Sequence, residues 1–514
     1  MTKRVVIDGN SLTLEEVHRV ARQGAPVALS SEAGRRVSRS RRLLEKLVER
    51  GDAIYGVTTG VGELANVRIS RELGAELQRR LVVSHAAGYG SVQPADVVRA
   101  AMLLRSNTLA KGYSAVRLET LKAYLDLLNR GVTPIVYEKG SLGASGDLSP
   151  LSQIAEVLIG GGNAFLNGEP MPGPLALKRA GLEPVSITFK EGVGLINGSQ
   201  MMTGELALRC GDAENILKHA VIAAAMSIEA LRGSRDAFDA RIHELRPFPG
   251  QVAFADCIRR LTAGSEILAA PAERVQDAYS LRCAPQIMGA SLDAFAYARR
   301  QALIEMNSAC DNPLLFADDG ACLAGGNFHG QPVAMAADFL AIALSETAAV
   351  SERRTNRLLN PALSGLPAYL VKGKGLNSGF MGAQITAAAL VSENKVLSHP
   401  AVVDSISVLA DEEDHVSMGP IAVRKLGEVC RNVLGVVAIE LLAAAQAIDF
   451  RKPHRPGPGV RAVHRKVRNV VAHLEDDRPL YPDIEKLAQL IGEGTIVKAA
   501  ERAVGRIGLG EYPY

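Results

Sequence analysis

The sequence predicts a mainly α protein: a bundle of long helices with a smaller N-terminal part. Three observations carry this. The 514-residue chain is 47% hydrophobic but only 4% aromatic and lacks Trp, so its apolar content is Ala, Leu, Val and Ile, which suits helices packed closely on one another. Apolar runs such as Val333–Val350 and Val436–Ile448 far exceed strand length. No repeat recurs at a fixed period, which argues against a solenoid. Three parts are expected: residues 1–200, mixed but mainly helical; 201–450, the long-helix bundle; and 451–514, a helical tail.

Taken in order, Thr13 and Glu16 form a capping-box pattern that opens a helix to about Ala21. Ser40 to Arg50 reads as a second helix closed by Gly51. A glycine-spaced loop from Ile54 to Gly62 follows, and helices are expected at 69–86, 94–110 and 115–129. Ser149 as N-cap and Pro150 at the first helical position start a helix over 148–159, which the Gly160–Gly162 run ends. Residues 163–190 carry four prolines and read as an excursion with short strands such as Val185–Phe189. Long helices are then expected from Gln200 to about Leu231 and at 252–268, 285–307, 331–360, 376–397 and 416–448. A proline-bearing linker over 451–480 precedes a last helix, 482–506, ending at Gly505.

Charge and composition exclude several classes. The net charge of +3 does not suggest nucleic acid, and the basic runs Arg35–Arg42 and Arg451–Arg468 read as solvated faces or subunit contacts. Six scattered cysteines without a Cys-x-x-Cys pair point to a reduced, cytoplasmic protein. Asp338, Glu346 and Glu440 interrupt the longest apolar runs, so these are core helices rather than membrane spans. No apolar leader opens the chain. The ten histidines form no metal-binding pair on a helix, and no nucleotide motif stands out, so neither metal nor nucleotide is expected.

Chemistry concentrates in a few irregular segments. Gly143-Ala144-Ser145-Gly146 places four small residues just ahead of a helix N-terminus. It reads either as a tight turn or as a backbone cramped enough for the Gly146 amide nitrogen to attack the Ala144 carbonyl. Loss of the Ser145 hydroxyl as water would then leave an exocyclic methylene. Tyr55 reads either as a packing residue or as one exposed by its glycine loop. His85 is either a helix-end cap or a ligand contact. Asn197 before Gly198 is a turn or a site residue. The segment Gln276-Asp277-Ala278-Tyr279-Ser280-Leu281-Arg282 is polar and irregular, which suits a site loop.

Gly-Ser-Leu-Gly-Ala-Ser-Gly-Asp-Leu at 140–148 resembles the cofactor-forming segment of the histidine and aromatic amino-acid ammonia-lyase family. The resemblance extends from about residue 4 to 507. It is carried also by Tyr55–Gly60, Ser84–Gly88, Leu195–Gly198, Gln276–Arg282, Gly326-Asn327-Phe328-His329 and Glu413–Met418. It implies a helical fold of the ammonia-lyase and fumarase-like superfamily type. It implies that Ala144, Ser145 and Gly146 close autocatalytically into 4-methylidene-imidazol-5-one, supported by Asp147, and that the protein is a homotetramer with sites shared between chains.

The implied reaction removes ammonia and a barely acidic β-proton. Tyr55 resembles the family's base, and a phenol serves near neutral pH only with help from cations or helix ends. Arg282 offers a bidentate fork for the substrate carboxylate. Asn197 and Gln276 would hold the ring oxygen and the substrate, Tyr279 would assist proton traffic, and Phe328 would pack on the electrophile. His85, Glu413 and Met381 resemble the histidine-specific branch, since a carboxylate and an imidazole can both hydrogen-bond a substrate imidazole. The implied conversion is L-histidine to trans-urocanate, with a tyrosine or phenylalanine ammonia-lyase or 2,3-aminomutase as the alternative. Thr58, Asp411 and Glu412 depart from that branch's pattern, and the two extra acids are expected to alter the potential around Glu413.

Overall fold

The computed structural model describes residues 3–269, 275–373, 375–510 and 512. The protein is mainly α, and its strands are short, forming small sheets of two or three strands. Two compact units emerge, each drawn from three stretches of chain: 1–211, 299–338 and 400–424 in the first, and 212–298, 339–399 and 425–514 in the second.

The first unit is built around the helix Ala95–Ala110. All of its residues from Ala100 onward are buried, polar ones included, so it is enclosed on every face. It packs against Leu14–Gln23 and Leu118–Asn129. Leu14–Gln23 opens with both arms of the expected capping box: Thr13 Oγ1 accepts from Glu16 N at 3.2 Å, and Glu16 Oε2 accepts from Thr13 N at 3.0 Å. In the second unit, Glu440 is fully buried on the helix Gly419–Asp449. It accepts from Arg354 Nη2 at 2.8 Å, Ser351 Oγ at 2.6 Å and Ser227 Oγ at 2.7 Å. Gln331–Leu359 and Gly419–Asp449 are long and apolar enough to cross a membrane, yet most of each apolar window is buried inside the protein.

Several boundaries differ from expectation for local reasons. The second helix is Ser31–Arg50, nine residues earlier than its apolar period suggested, because Ser30 caps it by accepting from Ala33 N at 3.1 Å. The helix expected from 69 begins at Gly74, after a 3-10 turn over Arg71–Leu73. Ser149 is no cap: Asp147 precedes the helix Leu148–Leu158, and Ser149 lies inside it. Val185–Phe189 forms no strand; the local strands are Asn163–Leu166 and Glu169–Pro172, paired antiparallel. The region 451–480 is not a bare linker, since it holds the helix Pro458–Arg468. The last helix is two, Tyr481–Gly492 and Thr495–Val504, broken where Gly494 adopts φ +65°.

Candidate active site

The turn over 140–147 joins the strand Tyr137–Lys139 to the helix Leu148–Leu158. Two of its glycines are required by geometry. Gly143 has φ +69°, and a Cβ there would lie 2.2 Å from Ser417 Oγ; Gly146 has φ +76°, and a Cβ there would lie 2.3 Å from the Gly198 carbonyl oxygen. The same carbonyl accepts from Asp147 N at 2.7 Å. Ser417 Oγ donates to Gly143 O at 3.2 Å, and Met418 N to Leu142 O at 2.8 Å. The turn is therefore held from two sides by residues far along the chain. Asp147 is fully buried, and its Oδ2 accepts from Met202 N at 2.9 Å. Burial outweighs that bond and pushes its carboxyl up to about 7.

A cavity of about 430 Å³ opens beside this turn in the first unit, lined by Tyr55, His85, Ser145, Asn197 and Glu413. Its apolar walls include Leu81, Leu148, Val193 and Ile196. Ser145 Oγ donates to Glu413 Oε1 at 2.6 Å, although the two lie far apart in sequence. Asn197 Nδ2 donates to the Ser145 carbonyl at 3.1 Å, while its buried Oδ1 has no partner. Tyr55 is half-buried, and its phenol oxygen accepts from Gly62 N at 2.9 Å.

His85 ends the helix Gly74–His85, and its Nδ1 lies 2.8 Å from Leu81 O. A carbonyl only accepts, so Nδ1 carries the proton in that contact. Nε2 of the neutral ring is then an acceptor on a residue that lines the cavity. The helix-end and ligand readings of His85 are compatible in this geometry.

The remaining expected site residues lie elsewhere. Phe328 is half-buried in the first unit but does not line the cavity. Gln276, Tyr279, Arg282 and Met381 belong to the second unit. Tyr279 is 66% exposed on the single turn Tyr279–Arg282. The Arg282 guanidinium stacks over its ring at 4.7 Å and donates through Nε to Asp277 O at 2.8 Å. Met381 opens the helix Met381–Leu397.

The three departures from the histidine-branch pattern are not among the lining residues. Thr58 Oγ1 is tied into its own turn, donating to Asp52 O at 2.7 Å and accepting from Ile54 N at 2.9 Å. Asp411 and Glu412 are exposed, and Asp411 accepts from Ser407 Oγ. Sequence reading missed Leu64, Leu409 and Ala410 in the cavity wall, and Ser417 as the clamp on Gly143. Nothing in their residue types marks them; only the fold brings them there. Among the described residues, no group of three or more His, Cys, Asp or Glu is placed to hold a metal ion.

A carboxylate facing a serine hydroxyl, a glycine-bearing turn with no room for side chains and a phenol on a neighbouring loop thus meet around one cavity. The family comparison agrees. Residues 12–469 match the aromatic amino acid lyase family, and the chain belongs to that family of carbon–nitrogen lyases.

Among individual relatives, it is 52% identical over 503 residues to a histidine ammonia-lyase of Alkaliphilus oremlandii, covering 98% of this chain and 99% of that one. The histidine ammonia-lyase structure from Trypanosoma cruzi superposes with a TM-score of 0.92 at 40% identity, covering 99% of each chain. The tyrosine aminomutase structure from Streptomyces globisporus superposes with a TM-score of 0.93 at 41% identity, covering 98% of this chain and 99% of that one.

Proposed function

We propose that the protein eliminates ammonia from L-histidine to give trans-urocanate, using an electrophile formed from its own Ala144, Ser145 and Gly146. One observation carries the reading: the Glu413 carboxylate reaches Ser145 Oγ at 2.6 Å within a cavity that His85 also lines. A substrate imidazole placed there meets a carboxylate that accepts its N–H, and as the imidazolium it has a second N–H for His85 Nε2. A phenyl ring makes no use of either.

The residues present fit 4-methylidene-imidazol-5-one. Gly143 and Gly146 stand where side chains would collide, and the Asn197 amide already holds the Ser145 carbonyl oxygen. When formed, the group supplies an electron sink toward the substrate. Around it, Tyr55 takes the β-proton, with Gly62 N–H fixing the aim of its oxygen. Leu81, Val193 and Ile196 form an apolar wall beside it.

Gln276, Tyr279, Arg282 and Met381 lie outside the unit that carries the cavity. We assign them to the substrate through assembly: the protein forms a homotetramer in which copies share sites, with Arg282 holding the carboxylate. Its six cysteines are few and scattered along the chain, in keeping with a cytoplasmic location.

Assay of histidine, tyrosine and phenylalanine side by side tests the substrate. Urocanate absorbance from histidine alone is expected. Cinnamate or coumarate, or a β-amino acid, without urocanate would overturn the choice in favour of an aryl lyase or aminomutase, for which the likeness to tyrosine aminomutase is the favouring observation. Light scattering tests the tetramer.

A further inference from the structure

We propose that Arg105 is a positioning residue for ring closure: its guanidinium fixes the 194–200 segment so that Asn197 and Gly198 hold the Ala144-Ser145-Gly146 turn in the conformation that closes. This rests on the self-formed electrophile proposed above.

Arg105 sits on the enclosed helix Ala95–Ala110 and is fully buried. Its donors are spent on both shoulders of one loop. Nε donates to Gly194 O at 3.0 Å on one side. On the other, Nη1 donates to Gln200 Oε1 at 2.9 Å, and it also donates to Cys310 O at 2.8 Å outside that loop. Gln200 is itself held, donating through Nε2 to Thr108 Oγ1 at 3.0 Å. Asp311, beside Arg105, takes its hydrogen bond from Lys190 Nζ at 2.9 Å. A buried guanidinium with this many carbonyl acceptors acts as a rigid staple rather than a charge awaiting a ligand.

Between those shoulders lies Gly198. A Cβ there would stand 2.5 Å from Arg105 Nη1, so the guanidinium abuts the loop backbone directly. The opposite side of Gly198 is the wall of the turn. Its carbonyl accepts from Asp147 N at 2.7 Å and leaves no room for a Cβ on Gly146. Asn197 holds the Ser145 carbonyl from the same loop. Two anchors of the turn, the Asn197 amide on the Ser145 carbonyl and the Gly198 carbonyl on Asp147 N, therefore come from one loop braced by one arginine.

Closure forms one bond, from Gly146 N to the Ala144 carbonyl carbon. The first water leaves with the Ala144 oxygen and the amide protons of Ser145 and Gly146. The second leaves with the Ser145 hydroxyl and its Cα proton. No oxidant is needed. An open chain relaxes away from such an approach, so the rate depends on what prevents relaxation.

Mass spectrometry of the peptide holding residues 144–146, followed over time after synthesis, tests this without reference to turnover. Wild-type protein is expected to lose two waters; if it keeps both, the self-formed electrophile fails, and this inference fails with it. Given that loss, Arg105→Lys, folded by circular dichroism, is expected to lose water roughly tenfold more slowly or worse. Lysine keeps the charge but cannot reach both shoulders. Gln200→Leu is expected to slow closure less. Leu104→Ala, which loosens the same helix one residue away, is expected to close at the wild-type rate. A wild-type rate in Arg105→Lys overturns the inference, as does equal slowing in Leu104→Ala, which would mean general loosening. Should Arg105→Lys not fold, Gln200→Leu against Leu104→Ala decides by the same criterion.

Discussion

Replacing Asp147 with Asn should alter how stability depends on pH more than it alters the fold. The carboxyl is fully buried, and its pKa is raised from 3.8 to about 7, chiefly by desolvation. Between those values the native state keeps a proton that the unfolded chain has released. Stability is therefore greatest below the lower value, declines as pH rises and levels off above the higher one. A gap of about three pKa units corresponds to roughly 4 kcal/mol. Asn carries no charge, and its Oδ1 can still accept from Met202 N. The difference between variant and wild type should be near zero at about pH 4 and favour the variant by roughly 2–4 kcal/mol at about pH 8. Urea unfolding of both proteins across that range measures it, and taking the difference cancels every other titrating group. A flat difference curve would refute burial as the dominant influence on Asp147. The peptide mass at 144–146 in the same preparations shows separately whether the variant still loses its two waters.

Glu413→Gln should lower kcat/KM for histidine by about 100-fold, or roughly 3 kcal/mol, since a charged hydrogen bond to the imidazole is lost, and should leave any phenylalanine activity untouched; parallel steady-state assays decide. Gly146→Ala should leave peptide 144–146 with both waters, because its side chain would stand 2.3 Å from Gly198 O at φ +76°; mass spectrometry reads this directly. Glu440→Gln should cost about 3–5 kcal/mol by leaving Arg354 buried without its counter-charge, whereas Arg354→Met combined with Glu440→Leu should recover most of that loss in a double-mutant cycle. Thr13→Ala should cost about 1 kcal/mol in thermal or urea unfolding, since it removes the side-chain arm of a cap formed at 3.2 Å.

The helices were legible where apolar period and caps agreed. Thr13 with Glu16 marked a start because both partners of the box lie within one turn of sequence. The start at Ser31 was hidden because Gly34, Arg35 and Arg36 show no apolar stripe, and only the cap at Ser30 declares it. Ser149 misled for the opposite reason: a good capping residue followed by proline fits the pattern, but the clamp on Asp147 from Gly198 begins the helix two residues earlier. The break at Gly494 was visible only as the Gly492-Glu493-Gly494 interruption of an apolar period.

At the site, residue types announced chemistry while the fold decided adjacency. Ser145 and Glu413 carry separate motifs, and nothing in either shows that they touch. No sequence motif marks Arg105, because the carbonyls it holds are supplied by residues 194 and 310.

The unit that holds the cavity is assembled from chain ends met early, midway and late, and its clamp on Gly143 is Ser417. A ribosome has therefore delivered four-fifths of the polypeptide before the reactive tripeptide can be gripped from both sides. On the proposed closure, Ala144, Ser145 and Gly146 stay ordinary peptide throughout that interval. If the proposed electrophile needs that grip, it can form only after most of the chain has been made.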